Sequence, residues 1–158
     1  MSTAFYATKR AAMHTLQAWG AANIVVGAAL VGSRHAVLRQ IGIQAIAWGA
    51  IDGALGLNGA RGADQEERDG RPAHEIARRD CVILAINTLL DVGYIAGGAW
   101  ALRSAKGRAD RAGIGIGIII QGLFLLKLDT VLTVVFGRFS QPRGIENGEL
   151  KSEHGAVQ

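Results

Sequence analysis

Four long apolar segments, separated by charged connections, constrain this chain more than any other feature of its sequence. They cover residues 15–32, 41–58, 81–102 and 112–137. Each is close to the ~20 residues that an α-helix needs to cross a bilayer. Of the 17 Lys and Arg residues, only Lys127 lies inside one of these segments. The pattern predicts an all-α polytopic membrane protein, an antiparallel four-helix transmembrane bundle.

The sequence predicts one domain with a short segment on each side. We expect residues 1–14 to form a juxtamembrane amphipathic helix, residues 15–137 the four-helix transmembrane domain, and residues 138–158 a polar C-terminal tail. The connection from Gly59 to Asp80 mixes acidic residues with arginines. It is predicted to be a solvated loop, with the third helix beginning near Pro72. A signal peptide is the alternative for the N-terminal region, but no small-residue cleavage site follows it convincingly.

Two other protein classes fit the sequence less well. A soluble bundle needs a wide polar face on each helix, and the second and fourth segments do not offer one. A pI of about 9.7 is typical of nucleic-acid-binding proteins, but here the basic residues flank apolar segments, as topology signals do. We therefore expect the lipid bilayer as partner, with a homo-oligomer or a larger membrane complex, and no nucleic acid.

Four spans place both termini on one side of the membrane, here called side A. The connections and termini on side A carry ten Lys and Arg residues, and those on the opposite side B carry six. The count favours a cytoplasmic side A, whereas the density of charge in the short side-B connections favours the reverse. We predict the bacterial cytoplasmic (inner) membrane, with both termini in the cytoplasm.

Every predicted span contributes polar side chains to one layer in the half of the membrane nearer side A. With a rise of ~1.5 Å per residue, most of these side chains lie roughly 9 to 15 Å from side A. The candidate layer consists of Asn23, Asp52, Asn87, Asp91, Tyr94, Gln121, Lys127 and Asp129. Each span thus has one polar face, as expected when such faces meet at the centre of a bundle.

The layer has two interpretations, and Lys127 bears on both. Lys127 and Asp129 are two residues apart and point to nearly opposite faces of their helix. Lys127 therefore either bridges to Asp52 or Asp91 on another helix or extends towards the lipid headgroups. The carboxylates either bind protons or a cation, or they only hold four helices in register.

The tryptophans divide by depth. Trp19 and Trp100 lie near opposite interfaces and are predicted to anchor the bundle there. Trp48 lies too deep for that role. It either packs in the bundle or lines a ligand cavity.

Glycines recur within the apolar segments, where small residues let helices approach closely. The chain has 22 of them, about twice the average usage. We predict helix packing for three pairs that are spaced four residues apart and accompany the polar faces. They are Gly49 and Gly53, Gly93 and Gly97, and Gly113 and Gly117.

The sequence carries no motif for catalysis, a cofactor or a metal. The four histidines form no HxxxH or ExxH pair, and there is no Walker loop, GxSxG motif or Cys–His set. The single Cys81 excludes an internal disulfide. We therefore predict a protein that is not an enzyme and that needs no cofactor and no metal.

Four segments resemble, in order, those of an uncharacterised family of small bacterial and archaeal four-span membrane proteins, a domain of unknown function. They are WGAANIVVG (19–27), QAIAWGAIDGALG (44–56), NTLLDVGYIAGGAW (87–100) and QGLFLLKLDTVL (121–132). The resemblance runs from about Trp19 to Val135. It implies the four-span architecture and no particular activity.

Two functional hypotheses follow. The leading one is a non-enzymatic membrane protein in which a buried Asn/Asp layer joins four helices, working as an accessory subunit or a homo-oligomer. The alternative is a small proton- or cation-coupled transporter that uses Asp52, Asp91 and Asp129 as its ion-binding carboxylates.

Overall fold

The computed structural model describes residues 2–141, and over this range the chain is all-α, with four helices and no β-strand. The helices are α1 (Ser2–Val31), α2 (Ala36–Arg68), α3 (Ala73–Arg103) and α4 (Ala109–Gly137). α1 continues without a break through the boundary predicted at residue 14. The predicted C-terminal tail beyond residue 141 lies outside the described residues.

The four helices form two tightly packed pairs. α1 packs along α2, and α3 packs along α4, while a contact between α2 and α4 holds the pairs together. α1 and α3 touch only sparsely, and α2 and α3 share no extended interface within the described range. The bundle therefore has a gap between α2 and α3.

α2 runs well beyond the second apolar segment. The predicted loop is wrong over residues 59–68, which continue α2, so that only residues 69–72 connect α2 to α3. Ala, Arg, Gln and Glu make up most of residues 59–68, and these are good helix formers. α3 begins at Ala73, directly after Pro72, as the proline predicts.

Glycines bring α1 and α2 into backbone contact at intervals of about two helical turns. A β-carbon on Gly20 would lie 2.6 Å from the carbonyl oxygen of Gly49. A β-carbon on Gly27 would lie 2.7 Å from the carbonyl oxygen of Gly42. No larger residue fits at these distances, so the spacing of α1 and α2 depends on glycine.

The other two interfaces use glycine in the same way. Between α3 and α4, a β-carbon on Gly115 would lie 2.7 Å from the carbonyl oxygen of Gly98. Between α2 and α4, a β-carbon on Gly113 would lie 2.6 Å from the carbonyl oxygen of Val37, and one on Gly117 would lie 2.7 Å from the β-carbon of Gln44. Close approach of the backbones is therefore common to all three interfaces.

Four of the six glycines predicted for helix packing lie in these contacts, and two do not. Those in contact are Gly49, Gly53, Gly113 and Gly117, and the backbone nitrogen of Gly53 would lie 2.7 Å from a β-carbon on Gly20. A β-carbon on Gly93 or Gly97 would meet no atom within 4 Å. The GxxxG spacing of Gly93 and Gly97 is not used inside the bundle, because their face of α3 points away from the other helices.

The apolar core lies at the side-A end of the bundle, where α1 and α3 begin and α2 and α4 end. Phe5, Tyr6, Ile76 and Phe136 are at most 2% exposed. The ring of Phe5 packs edge-on against Tyr6 and Phe136, with centroids 5.2 Å apart in each case. Towards side B, glycine contacts replace these large side chains.

Large apolar side chains point outward along the rest of the bundle. Among the described residues 22 of them are exposed, and all but Leu38 fall inside the four predicted spans. By length and composition alone, α3 and α4 are long and apolar enough to cross a membrane, with a mean hydropathy of 1.6 and 2.0 over 18 residues. The outward face of the bundle is thus apolar where the spans were predicted.

We predict that Gly49→Ala destabilises the bundle, because its β-carbon would lie against the backbone of α1. Overpacking of this kind typically costs about 1 to 3 kcal/mol. Gly93→Ala is the matched control, since its β-carbon meets no atom within 4 Å. Alanine should even stabilise the helix there by up to ~1 kcal/mol. Thermal unfolding of the purified proteins in detergent measures both, and equal midpoints for G49A and the parent protein would contradict the packing.

Candidate functional site

A cavity of about 420 Å³ lies between α2 and α3, with α4 as its floor and the first half of α1 closing its side-A end. Its polar and aromatic lining consists of Lys9, Trp48, Asp52, Asp80, Asn87, Asp91, Tyr94, Asp129 and Phe136. The rest of the lining is Leu, Ile and Met. The volume falls within the ~300 to 1,000 Å³ range of small-molecule sites.

Three carboxylates from three helices reach this cavity. Asp52 comes from α2, Asp91 from α3 and Asp129 from α4, and these residues are 2%, 3% and 8% exposed. The structure thus brings together the three aspartates that the sequence places at one depth. Asn87, one turn from Asp91, is half-buried in the same lining. Lys9 is the one basic residue of the lining, and it is paired elsewhere.

Asp52 is held by a chain of hydrogen bonds across the bundle. Gln121 Nε2 on α4 donates to Asp52 Oδ2 at 2.5 Å. Trp19 Nε1 on α1 donates in turn to Gln121 Oε1 at 3.0 Å. These hydrogen bonds link α1, α2 and α4. This part of the polar layer therefore joins helices.

Trp19 was expected at the interface, and the structure places its ring inside this arrangement instead. The ring stacks on Phe124 of α4, with centroids 4.0 Å apart. The signal for this was its spacing, because Trp19 shares one face of α1 with Asn23 and Gly27. Trp100, by contrast, is 73% exposed.

Asp91 has an oxygen without a partner. The residue is 3% exposed, and within the described chain its Oδ2 atom is buried with no hydrogen-bond donor. A buried polar atom without a partner destabilises the fold, because it has lost its hydrogen bonds to water and gained none in return. Since Asp91 lines the cavity, a proton or a cation there would provide the partner.

Two of the predicted layer residues lie apart from the carboxylates. Asn23 lines a separate cavity of about 220 Å³ between α1, α2 and α4, because α1 packs on α2 and does not reach the gap at this depth. Lys127 is exposed and belongs to none of the ion pairs in the described range. It therefore does not bridge to Asp52 or Asp91, and extension towards the lipid headgroups stays the prediction for it.

Tyr94 and Trp48 line the side-B end of the cavity. Their rings, from α3 and α2, meet edge-on with centroids 5.7 Å apart. Each ring lies one helical turn from a cavity aspartate, Trp48 from Asp52 and Tyr94 from Asp91. Trp48 thus packs against another helix and also lines a cavity.

An ion-pair cluster closes the opposite, side-A end. Lys9 Nζ lies 2.7 Å from Glu66 Oε2 and 2.7 Å from Asp80 Oδ2. Arg79 Nη2 lies 2.8 Å from Glu66 Oε1 and 2.8 Å from Asp80 Oδ1. Two cations thus meet two carboxylates, and this end of the cavity is balanced in charge, unlike the layer of three aspartates.

Sequence reasoning missed this cluster. Lys9 is 8% exposed, although a lysine before an apolar segment is typically a solvated flanking charge. Its partner Glu66 is 57 residues away, in the stretch that was predicted to be a loop. No local spacing could have indicated the pair.

The cluster lowers the pKa of Glu66. Burial alone would raise this pKa, but the hydrogen bonds from Lys9 and Arg79 outweigh burial and hold it below its usual value of 4.5. A carboxylate whose pKa is lowered by folding stabilises the fold above its unfolded pKa. That contribution is lost as the pH falls through the folded pKa.

We predict that Glu66→Gln reduces the loss of stability in acid. The free energy of unfolding of the parent protein should fall as the pH drops below about 4.5, and the variant should lose less because it cannot titrate at this position. Near pH 7 it should be less stable by about 1 to 3 kcal/mol. Glu75→Gln is the matched control, since Glu75 is exposed. Unfolding in detergent across this pH range measures the effect, and a pH-independent difference between E66Q and the parent would contradict it.

The carboxylates are not arranged as a metal site. Within residues 2–141, no three His, Cys, Asp or Glu side chains are grouped closely enough to hold a metal ion. The three cavity aspartates therefore line one space without converging on one point.

Comparison with known proteins connects this architecture to a family. The sequence pattern of DUF6992, described as a family of unknown function, matches residues 15–130. This range includes all three cavity aspartates and the three residues of the hydrogen-bond chain, Trp19, Gln121 and Asp52. Comparison with curated proteins and with solved structures found no match. The match covers well over half of the residues, and the chain belongs to DUF6992, a family of unknown function.

Proposed function

We propose that this chain is a four-span protein of the bacterial cytoplasmic membrane, with both termini in the cytoplasm. The exposed large apolar side chains support this, because they concentrate in the predicted spans and none lies in residues 2–23 or 58–81. A lipid environment accommodates such a surface, whereas water does not. The larger number of basic residues on side A supports the orientation.

Reporter fusions test this topology. A reporter fused at Gln158 and one inserted at Lys106 should report opposite sides of the membrane, because four spans put the C-terminus and the α3–α4 connection on different sides. Alkaline phosphatase and green fluorescent protein, which are active on different sides, provide the measurement. Both positions on the same side would overturn the four-span arrangement.

We further propose that the cavity binds a cation in exchange for protons, as in a small proton- or cation-coupled transporter. The observation that carries this proposal is that Asp52, Asp91 and Asp129 line one cavity and that, among residues 2–141, no free basic residue lines it beside them. Uncompensated carboxylates inside a membrane are costly. Protons or a cation would neutralise them.

The chemistry of such a site is an exchange without a catalytic step. With protons on the carboxyl groups the lining is neutral. A cation that enters the cavity favours the ionised carboxylates and releases protons. The only bonds that change are O–H bonds, so the protein is proposed to be non-enzymatic.

A second candidate is an accessory subunit or homo-oligomer in which the polar layer only joins helices. The hydrogen-bond chain from Trp19 through Gln121 to Asp52 favours it, because the chain ties three helices together. It does not account for Asp91, whose buried Oδ2 bonds to no group in the described chain. Cation exchange accounts for Asp91 and is compatible with the hydrogen-bond chain.

Proton movement in liposomes separates the two candidates. We expect the parent protein to move protons when a monovalent cation is supplied, followed by a trapped pH-sensitive dye. Sodium, potassium, choline and tetraphenylphosphonium are supplied in turn. The double variant Asp52→Asn and Asp91→Asn should strongly reduce the movement, because only Asp129 of the three carboxyl groups can still exchange a proton.

Asp69→Asn is the control, since Asp69 is an exposed carboxylate in the α2–α3 connection. It should behave like the parent protein. Unfolding midpoints in detergent show whether each variant is folded. If the parent protein moves no protons with any cation, the exchange proposal is wrong and the joining role is favoured.

A further inference from the structure

We propose that the cation of this cavity is a lipophilic organic cation, which enters sideways from the lipid through the gap between α2 and α3. Such a cation carries a positive charge and an apolar surface of its own. The inference rests on the proposed function, because it names the substrate class of the same acidic cavity.

The wall of the cavity is mostly hydrocarbon. α4 contributes Leu125, Leu128 and Leu132, and α1 and α3 add Leu16 and Leu84. An inorganic cation needs a shell of oxygen ligands, and the described carboxylates are not grouped to form one. A cation with its own apolar surface would instead bury that surface against these leucines, and burial of apolar surface favours binding.

Charge and aromatic rings are neighbours in the cavity. Asp91 offers a buried carboxylate oxygen that lacks a donor in the described chain. Towards side B, Tyr94 lies one turn from Asp91 and Trp48 one turn from Asp52, and aromatic faces attract organic cations. Lys9 does not compete for the aspartates, because Glu66 and Asp80 already hold its ammonium group.

The rim of the cavity is apolar and faces outward. Ile51 and Leu55 on α2 line the cavity and are 48% and 58% exposed. Ile83 and Leu90 on α3 do the same and are 49% and 56% exposed. All four lie within the proposed spans, so the rim would meet acyl chains.

Side chains in contact across the bundle lie at both ends of the cavity. The Trp48–Tyr94 ring pair lines the side-B end. The buried ion pair between Lys9 and Asp80 lines the side-A end. Because α2 and α3 share no extended interface, the open direction runs between them, sideways from the bilayer.

Binding of tetraphenylphosphonium to the purified protein in detergent tests the substrate class. Calorimetry should show saturable binding, with a heat that depends on the buffer because protons are released. Asp91→Asn should weaken binding at least about tenfold, and Asp69→Asn should leave it unchanged.

A second pair of variants keeps the test valid if Asp91→Asn fails to fold. Trp48→Leu removes the ring and should weaken binding by roughly 3- to 30-fold, the range of a cation–π contact. Trp48→Phe keeps a ring and should bind nearly as the parent protein does. Equal affinities for W48L, W48F and the parent protein would overturn the placement of the cation beside Trp48.

Quenching of tryptophan fluorescence in liposomes tests the sideways entrance. Lipids with brominated acyl chains should quench part of the parent protein's emission, and tetraphenylphosphonium should relieve that part. The relieved part should be missing in Trp48→Phe. Quenching of Trp48 by aqueous iodide and not by brominated lipid would overturn entry from the bilayer.

The outcomes separate this inference from the function on which it rests. If sodium or potassium drives proton exchange that depends on Asp91, while tetraphenylphosphonium does not bind, the organic-cation inference is wrong and the proposed function stands. If no cation drives such exchange, both are wrong. Saturable tetraphenylphosphonium binding with release of protons supports both.

Discussion

Contact between glycine backbones sets the distances between the helices, and the cavity follows from those distances. Gly20 against Gly49, and Gly98 against Gly115, draw the helices of each pair closer than any side chain would permit. α2 also packs on α4, but α2 and α3 stay apart. The cavity is the space that this unequal packing leaves, so the glycine contacts determine which space the three carboxylates line.

Two layers of charge lie along the bundle and have opposite energetic consequences. At the side-A end, Lys9 lies between Glu66 and Asp80, and each carboxylate there has a cationic partner. Deeper in the bundle, Asp91 has no such partner in the described chain. A paired buried carboxylate contributes to the stability of the fold. An unpaired one costs stability, and that cost is what gives the proposed site its affinity for a proton or a cation.

Depth in the bundle was predictable from the sequence, because a helix rises by a constant ~1.5 Å per residue. Asp52, Asp91 and Asp129 were placed at one level in this way, and they line one cavity. Neighbours were not predictable in the same way. Asn23 lies at a similar depth and faces a different cavity, because the glycine contacts join α1 to α2. Lys9 has its partners in a stretch that looked like a loop, since ion pairs across a bundle leave no trace in local spacing.

The sequence alone specifies four helices, their apolar surfaces, the level of each polar side chain and the membership in DUF6992. These are local properties, because they depend on residue type and on spacing along one helix. Only the tertiary structure decides that α2 packs on α4 and leaves a gap beside α3. Gly93 and Gly97 have the same spacing as Gly113 and Gly117, and only the second pair is used. The choice between them depends on contacts summed over residues far apart in the chain, which spacing along a single helix does not contain.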